Sequence, residues 1–231
     1  MSTAPTLRLE RSLLRGGVAR LACADEVGRG SLCGPVSIGM VVVTAETNTA
    51  PAGVRDSKLL SERQRNELVP KNESWAAAWA VGHASNDEID DIGIVGAMRL
   101  AGQRALVALA ERGCAPDAVL LDGHHDYLSN PDQGLLFGGG GGLVEVPEVT
   151  TKIKADMTCA GVAAASILAK TTRDALMVDL ARDHPEYGWA DNKGYASPQH
   201  LEALGRLGAS ALHRRSWSLP GVSPTGAKVK P

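Results

Sequence analysis

Four acidic residues stand where they could share a positively charged ligand. Asp25 and Glu26 are adjacent in ACADEVGRGSLCGP, Asp122 closes AVLLD, and Asp156 lies just ahead of the best helical segment in the chain. Like charges side by side raise each other's pKa and cost stability unless a cation or an exposed position relieves them. If the strands beginning near Leu21 and Ala118 are neighbours, these acids converge in space. Carboxylates without His or Cys make a hard oxygen site suited to Mg²⁺ or Mn²⁺. Two such ions about 4 Å apart can activate a water and stabilise the leaving oxygen in phosphodiester hydrolysis.

Each of these residues also has an ordinary local role. An Asp at a strand end is a turn former, and an Asp before a helix is a cap or dipole partner. Gly28-Arg29-Gly30 lacks the spacing of a GxGxxG or Walker loop and on its own is a tight turn. Its glycines would nevertheless let another molecule approach the backbone. Lys58 alone is a surface lysine. Late in the chain His184, Tyr187, Trp189, Lys193, Tyr195, His200, Arg206, His213, Arg214 and Arg215 interleave aromatic and basic groups. That pattern suits stacking on sugars or bases and pairing with phosphates, and it equally suits a basic helix with packed loops. From the residues alone the chain reads as a metal-dependent enzyme acting on a phosphate-bearing polymer.

The elements that must position these groups follow from periodicity. RLACADEV and VSIGMVVV are short apolar runs separated by the glycine turn and predict a hairpin. Ser61 is placed to cap a charged helix through LLSERQRNEL. WAAAWAVGHA predicts a third strand, and residues 86–112 predict a helix broken near Gly93 and Gly96. AVLLD predicts a buried strand, and LVEVPEV another with Pro147 at its edge or end. Between these two strands, Gly138 to Gly142 predicts a mobile surface excursion. From Thr158 to Ala181, Val162, Ala165, Ala169, Thr172 and Leu176 recur at helical spacing, with Lys170, Arg173 and Asp174 on the other side. Residues 1–16 read as an irregular lead with Arg8, Arg11 and Arg15 on a short helix. Residues 17–217 read as one catalytic domain with a C-terminal helical segment, and residues 218–231 as a disordered tail.

The chain has 231 residues, of which 44% are hydrophobic and only 3% aromatic, so its core must be built from Ala, Val, Leu and Ile. A formal net charge of -2 gives no global reason to expect a polyanionic partner, which leaves only a local basic patch for that purpose. Cys23, Cys33, Cys114 and Cys159 show no CxxC or His pairing and read as reduced packing residues. The absence of a signal peptide or long apolar span predicts a cytoplasmic chain with no membrane contact.

Taken together and in order, DEVGRGSLCGPV, DSKLLSERQR, LLDG, KADMTCAGVAAASILAKTTRD, HPEYGWADNKGYASPQHLEAL and HRRSW resemble the type 2 ribonuclease H family, in particular the bacterial ribonucleases HII. The match runs from Asp25 to Trp217. The resemblance implies an α/β ribonuclease H-like fold, with a mixed five-stranded sheet flanked by helices and a C-terminal helical segment. It implies endonucleolytic cleavage of the RNA strand in RNA–DNA hybrids and incision at ribonucleotides embedded in duplex DNA, by a monomer. Carried over by motif, Asp25, Glu26, Asp122 and Asp156 are the catalytic metal ligands for Mg²⁺ or Mn²⁺, with two ions during catalysis. Gly28, Arg29 and Gly30 would contact the ribose 2′-hydroxyl, Tyr195 would stack on the next sugar, and Lys58 would meet the phosphate backbone. The chain departs from the family pattern at Ser31 and Cys33, where Pro and Ala are usual, and at Ala155, where Gly is usual. The stretch from His124 to Gly142 is long for the family, and Asp126 and Asp132 within it are rival acids to Asp156. An inactive nucleic-acid-binding module on the same fold would not need all four acids. A phosphatase for small nucleotides would not need the GRG turn or the aromatic-basic segment.

Overall fold

The computed structural model describes residues 4–129 and 144–221 of the chain. Strands β1 (Leu21–Val27) and β2 (Val36–Val43) form the expected antiparallel hairpin. Helix α2 (Glu62–Trp75) begins at Ser61, whose hydroxyl accepts from the Gln64 amide at 3.3 Å while the Gln64 side chain reaches back to the Ser61 amide. Strand β3 (Ala78–Ala84) leads into α3 (Asn86–Glu111), which bends at Gly93, where φ is 74°. Strand β4 (Ala118–Asp122) pairs parallel to β1, and β5 (Glu148–Lys152) pairs parallel to β4. The sheet order is β3-β2-β1-β4-β5, a mixed five-stranded sheet.

Alternation along the strands divides the core into two layers. Ala22 and Ala24 of β1, Val36, Ile38 and Met40 of β2, and Val119 and Leu121 of β4 pack against α3. Leu21 and Cys23, Val41 and Val43, and Leu120 face the long helix. That face requires close approach: a Cβ at Gly39 would lie 2.6 Å from the Ala165 carbonyl oxygen, so glycine is what lets strand and helix touch there. By length and hydropathy α3 resembles a membrane span, but it packs across β2 and β3 with Ile89, Ala97, Ala101 and Leu109 buried.

After β5 come the single-turn α4 (Ala155–Thr158), the long α5 (Ala160–Leu180), the single-turn α6 (Trp189–Asn192) and α7 (Pro198–Leu207). A third cluster, with Leu32, Met177, Tyr187, Trp189 and Leu204, joins these helices to the loop after β1.

Three expectations are corrected. The fifth strand is EVTTK, not LVEVPEV: Pro147 precedes the strand, and Val144 and Val146 pack on the α3 layer without joining the ladder. On α5, Arg173 and Asp174 are buried while Leu176 is exposed, because the C-terminal half of the helix is covered by the GRG turn and the C-terminal segment. Leu219, expected in a disordered tail, is buried in the third cluster. The short helix expected to carry Arg8, Arg11 and Arg15 is α1 (Arg8–Arg15), which is tied to the start of α5. The glycine run 138–142 and residues 222–231 lie outside the described residues.

The tie between α1 and α5 runs through Glu10. The Thr6 carbonyl accepts from the Ala160 amide at 3.1 Å, and Glu10 Oε1 accepts from the Gly161 amide at 2.9 Å, at the N-terminus of α5. Glu10 is fully buried and its Oε2 has no partner among the described residues. Burial raises its pKa above the ordinary glutamate value, against the pull of the Gly161 amide. The sign follows: between the ordinary value and the folded one, the unfolded chain has released its proton and the folded chain has not, so stability falls as pH rises through that window. A glutamine cannot ionise. We therefore expect Glu10→Gln to gain on the wild type in melting temperature as pH rises above about 4. Melting curves of both proteins across that range check this, and a constant difference would refute it.

Candidate active site

The acids meet at the C-terminal ends of two parallel strands. β1 and β4 pair in register from Leu21 with Ala118 to Ala24 with Leu121, so the next residues along, Asp25 and Asp122, come side by side. Glu26 lies opposite Ile38 and therefore on the α3 side, whereas Asp25 lies opposite Gly39 on the α5 side. Carboxylate oxygens of Asp25, Glu26 and Asp122 all fall within 4.8 Å of one another. Asp122 Oδ1 accepts from the amides of Ala155, at 2.6 Å, and Asp156, at 3.4 Å, which fixes the single-turn helix that carries Asp156 beside the group.

The electrostatics are those of crowded carboxylates. Burial first, then the charges of Glu26, Asp122 and Asp156, hold Asp25 well above the ordinary aspartate value. Glu26 is raised by burial and by Asp122, and Asp156 by burial, Asp122 and Asp56. For Lys58, burial lowers the pKa, but Asp25, Asp56, Asp156 and Glu26 outweigh it and the ammonium is held above its ordinary range. The Lys58 ammonium thus feels the charge of the acids. Its loop is fixed from below: Asp56 Oδ1 accepts from the Lys58 amide at 2.9 Å, and Ser166 Oγ accepts from the Ser57 amide at 3.1 Å. The donor set is all oxygen, with repulsion that a hard dication would relieve, so the residues fit Mg²⁺ or Mn²⁺.

Asp126 is no rival to these acids. Its side chain accepts from the amides of Leu128 and Ser129 and from the Ser129 hydroxyl, which closes a local turn. Asp132 lies outside the described residues.

The GRG turn is built around two buried arginines. Arg173 donates to the carbonyls of Pro35 (2.8 Å), Lys193 (2.9 Å) and Cys33 (3.3 Å) and to Ser31 Oγ (2.8 Å). Arg214 donates to the carbonyls of Gly28 (2.6 Å), Arg29 (2.9 Å) and Gly34 (3.2 Å). Both side chains are fully buried. Burial, followed by the charge of Arg173, pushes the Arg214 pKa down to about 10. With these carbonyls turned inward, Arg29 and Gly30 stand exposed at the tip. Gly28 has φ 83°, and a Cβ there would sit 2.2 Å from Arg173 Nε, so backbone conformation and space both demand glycine.

Tyr195 is half-buried, with Lys170 Nζ 5.7 Å and Arg173 Cζ 5.5 Å from its ring centroid. Its carbonyl accepts from His200 Nδ1 at 2.9 Å. The Ser210 amide donates to His213 Nδ1, so the neutral His213 ring carries its proton on Nε2 and donates to His200 Nε2 at 3.0 Å. Trp189 Nε1 donates to the same nitrogen at 3.1 Å. Burial, then the neighbouring imidazoles, pushes the His213 pKa down to about 4. Cys33 lies beside His200 and His213, a pairing that sequence spacing did not reveal. Hydrogen bonds already occupy the ring nitrogens, so this grouping is a packed wall.

The late aromatic-basic segment therefore divides. Tyr187, Trp189, His200, His213 and Arg214 are interior, and only residues such as Lys193, Tyr195, Arg206 and Arg215 reach the surface.

A family model described as Ribonuclease HII matches residues 22–219. The chain belongs to the ribonuclease HII family. It is accordingly an endoribonuclease, a hydrolase. The chain is 42% identical over 227 residues to the ribonuclease HII of Streptomyces coelicolor, covering 98% of this chain and 89% of that one. Among solved structures it is similar to the ribonuclease H2 of Pyrococcus horikoshii OT3, with TM-score 0.62 and 28% identity, over 87% of this chain and 94% of that one. It is also similar to Bst-RNase HIII, solved in complex with Mn²⁺, with TM-score 0.61 and 25% identity, over 87% of this chain and 64% of that one. The acids, the GRG turn and Tyr195 all lie within the matched residues. The motifs did not single out Arg173 and Arg214 as internal supports of that turn, although both lie inside quoted motifs, KTTRD and HRRSW.

Proposed function

We propose that the chain hydrolyses the RNA strand of RNA–DNA hybrids and nicks duplex DNA on the 5′ side of an embedded ribonucleotide, leaving 3′-hydroxyl and 5′-phosphate ends. The observation that carries this reading is the convergence of Asp25, Glu26 and Asp122 within 4.8 Å, with the GRG turn leaving the same strand. Asp25, Glu26, Asp122 and Asp156 would hold two Mg²⁺ or Mn²⁺ ions, which when bound supply an activated water and a stabilised leaving oxygen. The chain's own residues do the positioning. Gly28, Arg29 and Gly30 present backbone to the ribose, and the 2′-hydroxyl is the group by which RNA is told from DNA. Lys58, held by its anchored loop near the acids, offers a cation to the phosphate next to the scissile bond. Tyr195 would lie flat under the following sugar, a placement supported by Lys170 and Arg173 flanking its ring.

The test compares Tyr195→Ala with wild type on a duplex carrying one ribonucleotide and on an all-RNA hybrid. A deoxyribose after the ribonucleotide lets the ring pack flat, whereas a second 2′-hydroxyl crowds it. Loss of one stacking contact costs roughly 1–3 kcal/mol, so junction nicking should fall by about ten- to a hundredfold, with less loss on the hybrid. Mg²⁺ dependence should persist in the residual activity. Equal losses on both substrates would reduce Tyr195 to a general binding contact, and no loss on either would leave it as loop packing.

A further inference from the structure

Tyr127 is buried at 5% exposure, and its hydroxyl has no hydrogen-bond partner among the described residues. A buried hydroxyl without a partner is costly, and a native structure rarely carries one without a reason. The surroundings supply the reason. Tyr127 belongs to the α3-side layer with Ala22, Ala24, Ile38 and Leu121. Glu26 is on that same face of β1, two residues beyond Ala24 and opposite Ile38. The turn closed by Asp126 fixes the backbone on either side, through the Leu128 and Ser129 amides, and Leu128 is itself fully buried. The ring is thus locked beneath the site on the side from which Glu26 enters it. Burial, then the charges of Glu26, Asp25 and Asp122 in that order, holds the phenol well above its ordinary pKa, so the oxygen keeps its proton and toward a carboxylate acts as a donor.

We propose that Tyr127 is a positioning residue for Glu26: in the metal-loaded protein its hydroxyl donates to the Glu26 carboxylate and fixes the oxygen that faces the ion. This rests on the reading of the acids as metal ligands. Asp25 and Asp122 sit on the α5 side, where Asp122 is held by the Ala155 amide. Glu26 has the longest side chain of the three, and Tyr127 offers a buried hydroxyl on its side of the sheet. A hydrogen bond from a buried hydroxyl to a carboxylate is of the charge-assisted kind. Ligands held by such outer partners commonly lose about tenfold or more in metal affinity when the partner is removed.

The experiment is Tyr127→Phe, which keeps the ring in the core and removes one oxygen. Melting temperatures are measured in EDTA and across a Mn²⁺ titration, together with the Mn²⁺ and Mg²⁺ concentrations that give half-maximal cleavage of a labelled hybrid. In EDTA the variant should melt at or above the wild-type temperature, because an unpartnered hydroxyl is gone. Its Mn²⁺-induced shift should be smaller, and half-maximal metal should rise by about tenfold. In a Glu26→Gln background the same change should add nothing. A full Mn²⁺ response in Tyr127→Phe, a lower melting temperature in EDTA, or an equal effect in the Glu26→Gln background would overturn the inference. Failure of the wild type itself to respond to Mn²⁺ would instead overturn the metal reading of the acids.

Discussion

Asp25→Asn and Asp122→Asn should each lower metal-dependent cleavage of a hybrid by at least about a hundredfold, because each removes a ligand charge from a site whose work is electrostatic. The change keeps shape and volume, so the fold should persist, and circular dichroism of the purified variants would show it. Stability should move the other way. Asp25 is raised well above its ordinary value by burial and then by Glu26, Asp122 and Asp156. As pH rises from the ordinary aspartate range toward that folded value, the unfolded chain ionises and the folded chain does not, so the metal-free protein loses stability. Asparagine escapes this loss. In EDTA, Asp25→Asn should therefore unfold at higher urea than wild type near neutral pH, with the advantage gone below about pH 4. Wild-type turnover in either variant would remove that residue from the site.

Arg173→Ala should be the most damaging single change outside the acids. It strips donors from the carbonyls of Pro35, Lys193 and Cys33 and from Ser31 Oγ, all in the packed junction between the GRG turn, α5 and the C-terminal segment. Each buried acceptor left unpaired costs about 1–3 kcal/mol, so a loss of at least about 3 kcal/mol in urea unfolding is expected even if the site partly relaxes. Activity should fall with it, because the turn that meets the ribose loses its support, while Mg²⁺ dependence of the remainder is kept. Arg173→Lys should recover little, since an ammonium cannot reproduce the planar fork that reaches several carbonyls at once. An unfolding midpoint equal to wild type in Arg173→Ala would show that the turn stands without it.

The contrast between these two positions also shows what a one-dimensional reading can hold. Asp25, Glu26 and Asp122 were legible because strand periodicity predicted their elements and a parallel pairing of β1 and β4 brings strand ends together. Arg173 was placed on the exposed side of its helix because charge normally seeks water. It is buried instead because backbone carbonyls from remote loops satisfy it, and nothing in the spacing of a helix announces those loops. LVEVPEV misled for a related reason. Its alternating valines do report a buried face, since Val144 and Val146 touch the core, but hydrogen-bonded pairing begins only after Pro147. The polar EVTTK that forms the edge strand carries little apolar pattern to find. Tyr127 belongs to no motif, and only its burial and its idle hydroxyl mark it.

Adjacent acids on a strand cannot face the same way. Asp25 enters the site from the α5 layer and Glu26 from the α3 layer, so the site straddles two cores that share one sheet. The distance between the carboxylates is therefore a gauge of how those layers sit on each other. A single-residue insertion in β1 would exchange their faces and a repacking of either core would slide one acid against the other. A packing change in either core is therefore expected to register at the acids, although the two cores lie on opposite faces of the sheet.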